Sequence, residues 1–452
     1  MDSVFKNDSG QPAYVQLYNY FRTLIISGSI KSGSKLPSIR GCAEHYGVSK
    51  TTVESAYVML ETEGCIYSVP QSGFYVADMP EFHTHSSIVS SDNLSRNDKS
   101  EPIYDFTSSA ADKESFDFNL WQRYIKSALR TGARLLDYGD PQGEEDLRKA
   151  LCSYVLKSRG IICNESQIVI GAGVQNLIQL LCSLDKSADA VAFTGQPYPK
   201  GEKIFTDYNK EIIRLGGYDI SDLPDKKIGI IYTCPSHINY MGDVLPVSKR
   251  IDLLKYAAAN DCLIIEDDFD SEFSYSGRPV PSLQSLDGGS SVVYIGTFSR
   301  LLLPSIRISF LVLTPKLAEK YAAVKHLYNQ TASKTEQIAL CRYISDGHLF
   351  SRIKKTKRLY LEKTKNFYNI LKDECGGDVD ITLSRSGFLV SAFIKGVSAS
   401  DAGRAAERAM LKIRCYESQL KDGCTAVFSV SSISQNEIVN SAKRVANLLR
   451  IL

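Results

Sequence analysis

The chain has 452 residues, 43% hydrophobic and 23% charged, the balance of an ordinary globular protein of about three units at ~150 residues each. That excludes a mainly disordered, collagenous or coiled-coil chain. With 53 basic against 51 acidic residues the net charge is +2, so no global field draws in nucleic acid or a membrane surface, and any DNA site must be a local patch.

Eleven cysteines stand singly, with no C-x-x-C pair. Disulfide frameworks and zinc sites need tighter spacing or histidine partners, so reduced thiols and no metal site are expected. The N-terminus has no apolar signal core, and no run approaches the ~18 apolar residues that cross a bilayer. A soluble cytoplasmic protein is expected.

Apolar residues at 14, 17, 18, 21, 24 and 25 keep a helical period that Ser27-Gly28 ends. A second helix fits Ile39–Tyr46, stopped at Gly47, and Ser49 caps a third running to about Glu63. Two apolar runs around Pro70-Gln71-Ser72-Gly73 read as a hairpin. Three helices and a hairpin outline a winged helix-turn-helix over residues 1–78. Residues 79–102 are polar, rich in Ser, Asn and Asp, and read as a linker.

From 103 to 452 strand and helix patterns alternate. Strand patterns lie at 168–170, 190–193, 228–232, 262–266, 292–296 and 308–313, with helices such as 144–158, 173–184 and 248–259 between them. This is the pattern of an α/β fold whose mostly parallel sheet is covered on both faces. The stretch from about 350 to 452, with strands near 388–394 and 426–430, reads as a smaller α+β lobe.

Residues 1–78 carry six basic residues (Lys6, Arg22, Lys31, Lys35, Arg40, Lys50) and seven acidic ones. Four of the basic residues fall between 31 and 50 beside Glu44 alone, while Glu54, Glu61 and Glu63 lie further on. Basic and hydroxyl groups therefore gather where the second and third helices begin, the ends that meet phosphates in helix-turn-helix docking. The strings K-S-G-S-K-L-P-S-I-R (31–40) and G-V-S-K-T-T-V (47–53) resemble the GntR-type winged helix. The resemblance implies DNA contacts from Lys35, Ser38, Arg40, Ser49, Lys50, Thr51 and Thr52, with Gly73 at the wing tip. On the residues alone, Ser38 and Ser49 also read as plain helix caps.

In the larger part, I-I-E-D-D-F-D-S-E-F (264–273) puts Asp267 at the carboxyl end of a strand, where open α/β sheets bind ligands. Thr297, Ser299 and Arg307 flank a second strand end and suit a phosphate. Gly171-Ala172-Gly173-Val174-Gln175 is either a phosphate-binding turn or a simple strand-to-helix turn. With Y-G-D-P-Q-G (138–143), Q-P-Y-P (196–199) and Y-T-C-P-S-H (232–237), these blocks resemble fold-type-I aminotransferases. The closer resemblance is to MocR-type GntR regulators, which join such a domain to a winged helix. It implies a pyridoxal 5'-phosphate (PLP) pocket in which Tyr198 stacks on the pyridine and Asp267 pairs with its nitrogen. Thr297, Ser299 and Arg307 would hold the phosphate, a cup that the amides of Gly173 and Val174 could close; His237, in the Y-T-C-P-S-H stretch, and Arg300, at the Schiff-base position, complete the candidate set. Tyr138 would reach the phosphate of a neighbouring subunit.

The pattern breaks where it matters most. The family's T-F-S-K lysine, which forms the Schiff base, is Arg300 here, and a guanidinium cannot take that role. The next lysine in sequence is Lys316, and none nearer is expected to serve. The tyrosine expected two residues after Asp267 is Phe269, and no arginine lies between Cys415 and Ala442, although Arg385 and Arg414 are close.

The expectation is a DNA-binding transcription regulator, not an enzyme, forming a homodimer. Its aminotransferase-like domain would sense PLP non-covalently, a PLP–amino-acid adduct or another anionic ligand. A natural and an engineered replacement of the lysine fit the sequence equally. The alternatives are a PLP-dependent aminotransferase with an appended DNA-binding module, and a scaffold that only dimerises the heads.

Overall fold

The chain divides into two compact units, Met1–Asp98 and Lys99–Leu452. The computed structural model describes residues 11–78, 103–107, 115–195, 198–215, 217–218, 223–224, 226–269, 271–273, 280–299, 301–418 and 422–452. The expected linker at 79–102 and Arg300 lie outside these described residues.

In the first unit, α1 (Ala13–Ile26) turns Leu17, Tyr18, Phe21 and Ile25 inward. The following α2 (Ile39–Tyr46) and α3 (Lys50–Thr62) complete the helical core, α3 burying Val53, Ala56, Tyr57 and Leu60. Ser38 caps α2 by accepting from the Gly41 amide at 3.1 Å, and Gly47 ends it at φ +69°, in the left-handed region. The Tyr57 hydroxyl donates to the Pro37 carbonyl at 2.9 Å, tying α3 to the chain ahead of α2. Strands β1 (Ile66–Val69) and β2 (Gly73–Val76) pair antiparallel. The turn between them is Pro70-Gln71-Ser72, with Gln71 at φ +62°. Gly73 therefore opens β2 rather than forming the tip.

The second unit begins with β3 (Tyr104–Asp105), α4 (Phe118–Leu129), α5 (Ala133–Leu136) and α6 (Glu145–Arg159). Then come β4 (Ile168–Gly171), α7 (Val174–Leu184), β5 (Ala190–Thr194), α8 (Pro199–Asp207), β6 (Glu211–Leu215) and β7 (Ile230–Thr233). Next are α9 (Val247–Asn260), β8 (Leu263–Asp267), α10 (Leu283–Asp287), β9 (Val292–Thr297) and β10 (Ser309–Val312). Strands β4 to β10 form one seven-stranded sheet, ordered β4-β10-β9-β8-β7-β5-β6. Only β10 runs against its neighbours. Strands such as β7 and β10 are fully buried, as helices on both faces require.

Strand β6 is not predicted by the sequence pattern. It is an edge strand reading Glu-Ile-Ile-Arg-Leu with only Leu215 buried, so it lacks the continuous apolar run of its neighbours.

After α11 (Pro315–Val324), α12 (Lys334–Ser345) and the long α13 (His348–Cys375) comes the smaller lobe. It contains β11 (Asp380–Leu383), β12 (Val390–Lys395), α14 (Ala399–Arg408), β13 (Leu411–Lys412), β14 (Arg414–Glu417), β15 (Gly423–Phe428) and α15 (Ile438–Ile451). Four of these strands make an antiparallel sheet, β11-β12-β15-β14. Phe106, Phe367 and Phe428 pack together in the apolar core of this lobe.

Among the described residues, no helix is long and apolar enough to cross a membrane, and no cluster suits a metal ion. All eleven cysteines are free.

Candidate ligand pocket and nucleic-acid face

At the carboxyl ends of β8 and β9 the sheet opens into a cavity of about 390 Å³. It is lined by Tyr198, Asp267, Thr297, Ser299 and Arg307, together with Gly173, Val174 and His237. Eight of the ten residues assigned to the pocket from sequence therefore meet in one place. Arg300 lies outside the described residues. Tyr138 does not line the cavity and its side chain is wholly in solvent.

One wall is built by the turn from β4 into α7. Gly173 caps α7 at φ +97°, and a Cβ there would come within 2.7 Å of the Arg307 guanidinium. Only glycine allows this approach. Arg307, itself at φ +52°, donates from Nη2 to the Ala172 carbonyl at 3.3 Å, which aims its guanidinium across the α7 N-terminus. Opposite stands a hydroxyl relay in which Ser309 donates to Thr297 Oγ1 at 2.9 Å, and Thr297 donates to Ser299 at 3.3 Å. Main-chain amides, hydroxyls and a guanidinium facing one space form an anion cup.

Asp267 is buried at the far side of the cavity. The Tyr232 hydroxyl donates to its Oδ2, whereas Oδ1 has no hydrogen-bond partner among the described residues. Burial pushes the carboxyl up to about 6, the neighbouring Asp268 charge adding to the effect and the Tyr232 hydroxyl opposing it. Tyr232 stacks between Phe193 and Tyr198, with centroids 4.9 Å and 5.8 Å away. Burial and the Asp267 charge raise the Tyr198 phenol to about 12, so it stays protonated at neutral pH.

A buried Asp–Arg pair holding strand ends together does exist, but it uses other residues. Asp268 pairs with Arg159 at 2.7 Å and also accepts from Ser236, Ser271 and Tyr294 at 2.8, 2.9 and 2.7 Å. Arg250, fully buried, spends its guanidinium on the carbonyls of Leu245, Pro281 and Pro235, fixing the loop that carries His237.

Six further residues line the cavity, Tyr232, Thr194, Cys234, Ser309, Gln175 and Lys200; Gln175, Tyr232 and Cys234 fall within the motif stretches of the sequence without being assigned to the pocket, and the other three fall in none. Lys200 corrects the expectation that no lysine but distant Lys316 needs considering. It reaches the pocket from the first turn of α8, a hundred residues before Arg300, so linear proximity could not reveal it.

On the first unit, Lys35, Ser38, Arg40, Ser49, Lys50 and Thr51 are exposed and Thr52 is half-buried. The Ser49 hydroxyl is committed to the α3 cap, accepting from the Thr52 amide at 3.1 Å and meeting the Thr52 hydroxyl at 2.8 Å. The Ser38 hydroxyl is committed in the same way to α2. Arg40 and Lys50 carry no ion pair among the described residues, which leaves two cations at the starts of α2 and α3. Lys35 instead packs over the Tyr75 ring, its ammonium 5.8 Å from the centroid, and its Cε lies 3.3 Å from where a Cβ on Gly73 would stand.

The architecture is thus a winged helix-turn-helix joined to a fold-type-I aminotransferase body. Residues 13–76 match the family described as bacterial regulatory proteins, gntR family, and residues 105–417 match aminotransferase class I and II. The uncharacterized HTH-type transcriptional regulator YdeL of Bacillus subtilis is 35% identical over 84% of this chain and 83% of its own length. The probable rhizopine catabolism regulatory protein MocR of Rhizobium meliloti is 28% identical over 89% of this chain and 86% of its own. The kynurenine aminotransferase of Pyrococcus horikoshii superposes with a TM-score of 0.67 at 22% identity, covering 78% of this chain and 92% of that one, a likeness of fold. The chain belongs to the MocR-type subfamily of the GntR family of bacterial regulators.

Proposed function

We propose that this protein is a cytoplasmic transcription regulator that binds an operator through its winged helix and senses a phosphopyridine ligand in its aminotransferase-like domain. One observation carries the reading. The cup and the Asp267 carboxylate, whose Oδ1 has no partner among the described residues, are kept, while the residue that should supply the reactive amine is Arg300.

The residues fit PLP at two independent points. Asp267 Oδ1 is a buried acceptor that lacks a donor among the described residues, and Gly173 keeps the α7 N-terminus clear for close approach beside Arg307. A phosphopyridine brings a cationic ring nitrogen and a phosphate. Asp267 would accept from the ring nitrogen, with Tyr232 orienting the carboxylate and Tyr198 walling the ring. Thr297, Ser299, Arg307 and the Gly173 and Val174 amides would bind the phosphate. Without an amine at position 300, binding is reversible and turnover is not expected.

The DNA-facing residues are Arg40, Lys50 and Thr51, with Lys35 at the wing. Ser38, Ser49 and Thr52 serve mainly by fixing the helix starts. The unit is expected to act in a homodimer, as paired half-sites require. Leu136 and Tyr138 are 88% and 100% exposed, and Leu327 is 73% exposed. Their segments are held together by Lys325 on Asp140 and Lys334 on the Asp137 carbonyl. A second copy covering this face would bring Tyr138 to the partner's site.

Footprinting on the DNA upstream of the gene, with and without PLP, tests the reading. Protection of two half-sites whose strength changes with PLP is expected. Protection indifferent to PLP and to amino acids would leave the scaffold reading in its place.

A further inference from the structure

A separate cavity of about 160 Å³ lies between α7, α11 and the edge strand β4, and it shares no lining residue with the phosphopyridine pocket. Its floor is apolar, made by Val169 and Ile170 of β4 and Leu177 of α7, all buried. Asn176, Gln179 and Ser183 face it at helical spacing along α7. Tyr321 of α11 and Tyr328 form an aromatic wall, with ring centroids 6.1 Å apart. No charged side chain lines it among the described residues.

Its polar groups are largely unspent. Tyr321 is only 2% exposed, yet it lines the cavity and its hydroxyl meets no partner among the described residues. Burial, with the Asp140 charge behind it, raises this phenol to about 12, so it remains a donor at neutral pH. A hydroxyl taken from bulk water is costly unless something in the cavity bonds it. The side-chain amides of Gln179 and Asn329 likewise have no partner among the described residues. Asn176 Oδ1 accepts from Thr331 Oγ1 at 2.8 Å, and that hydroxyl accepts from the Ala172 amide at 3.0 Å. The Ala172 carbonyl in turn holds Arg307. Residue 172 therefore offers its amide to this cavity and its carbonyl to the phosphate cup.

We infer that this cavity is a second small-molecule site, and that it takes an uncharged single-ring heterocycle with amide edges, of the pyrimidine-base kind. The volume sets the size, since a cavity of ~150 Å³ holds a benzene ring. The absence of a lining charge selects against ions, which would lose hydration and gain no counter-charge. Carboxamides supply donors and acceptors side by side, as an edge of alternating N–H and C=O groups requires. Apolar floor and tyrosine wall suit the faces of a flat ring. The inference stands apart from the reading of the larger cavity.

The test is ligand-observed NMR titration of the full-length protein with uracil, and with orotate, the same ring bearing a carboxylate. Uracil should bind at least tenfold more tightly than orotate, and pyridoxamine 5'-phosphate should not displace it. Gln179→Ala with Asn329→Ala should weaken uracil about tenfold, and Tyr321→Phe about fivefold, the range of two hydrogen bonds and one. Gln179 and Asn329 are exposed, and the urea transition of Trp121 reports whether each variant is folded. Four results each overturn the inference. One is no uracil binding to the unmodified protein, which includes a cavity filled by a second copy at the neighbouring Asp140–Lys325 face. The others are equal binding of orotate, displacement by pyridoxamine 5'-phosphate, and undiminished binding by the folded variants.

Discussion

Asp267→Asn separates a carboxylate kept for a ligand from one that braces the fold. In the ligand-free protein the carboxyl titrates near 6 against an ordinary 3.8. At about 1.36 kcal/mol per tenfold change in proton affinity, its ionised form costs up to about 3 kcal/mol of stability. The sign follows from proton linkage. Between roughly pH 4 and 6 the native state keeps a proton that the unfolded chain has released, so stability falls as pH rises through this window and the full cost stands above it. Asparagine removes the charge but leaves an unpaired amide, a cost of about 1 kcal/mol. The variant should therefore be about 2 kcal/mol more stable than its parent at pH 8. At pH 5 that advantage should shrink by about 1.4 kcal/mol, a change independent of the amide.

Urea unfolding followed by the fluorescence of Trp121 isolates the effect, because this is the chain's single tryptophan and is buried in the larger unit. Saturating PLP at pH 8 should protect the parent more than the variant. A variant less stable than its parent at pH 8, or a difference that does not change with pH, would mean that Asp267 is a structural brace.

Arg40→Ala with Lys50→Ala should weaken operator binding and lower the salt slope by about one for each phosphate no longer neutralised; unchanged binding would move the reading head elsewhere. Borohydride should fix no PLP to the unmodified protein but should do so in Arg300→Lys, and mass spectrometry that found the label on Lys200 of the unmodified protein would refute the loss of an amine. Ser49→Ala should cost the winged-helix unit about 1 kcal/mol in thermal unfolding, since its hydroxyl caps α3. The Cys152 and Cys163 sulfurs lie 3.8 Å apart and their hydrogen bond lowers the Cys152 thiol, so diamide should remove two titratable thiols, and Cys163→Ser should block the closure.

Signals with short reach are the legible ones. The α2 bounds, both serine caps and the buried strands of the large sheet follow from caps, glycine stops and continuous apolar runs. Edge strands are not legible. In β6, β11 and β14 one or both faces meet solvent, so their patterns carry charge and no core period. The site divides the same way. Residues at strand ends can be read in sequence because strand ends converge in an open α/β sheet. Lys200 cannot, since it looks like surface, and Tyr232, though it opens the Y-T-C-P-S-H stretch, looks like core.

The three consecutive acids at the end of β8 explain why Asp267 is available at all. Glu266 accepts the amides of Leu283 and Gln284 at 2.9 Å each, capping α10, and burial beside Asp268 still lifts it to about 7. Asp268 is paired with Arg159 and surrounded by three hydroxyls. Both thus have structural partners enough to account for their burial. Asp267 lies between them with one phenol and an open oxygen at the cavity. A fold that needed only a brace has one in Asp268, and a pocket without a ligand would gain stability by losing the charge. Keeping that charge beside an anion cup, where the reactive lysine has become Arg300, is the arrangement of a site that binds a cationic ring without carrying its chemistry forward.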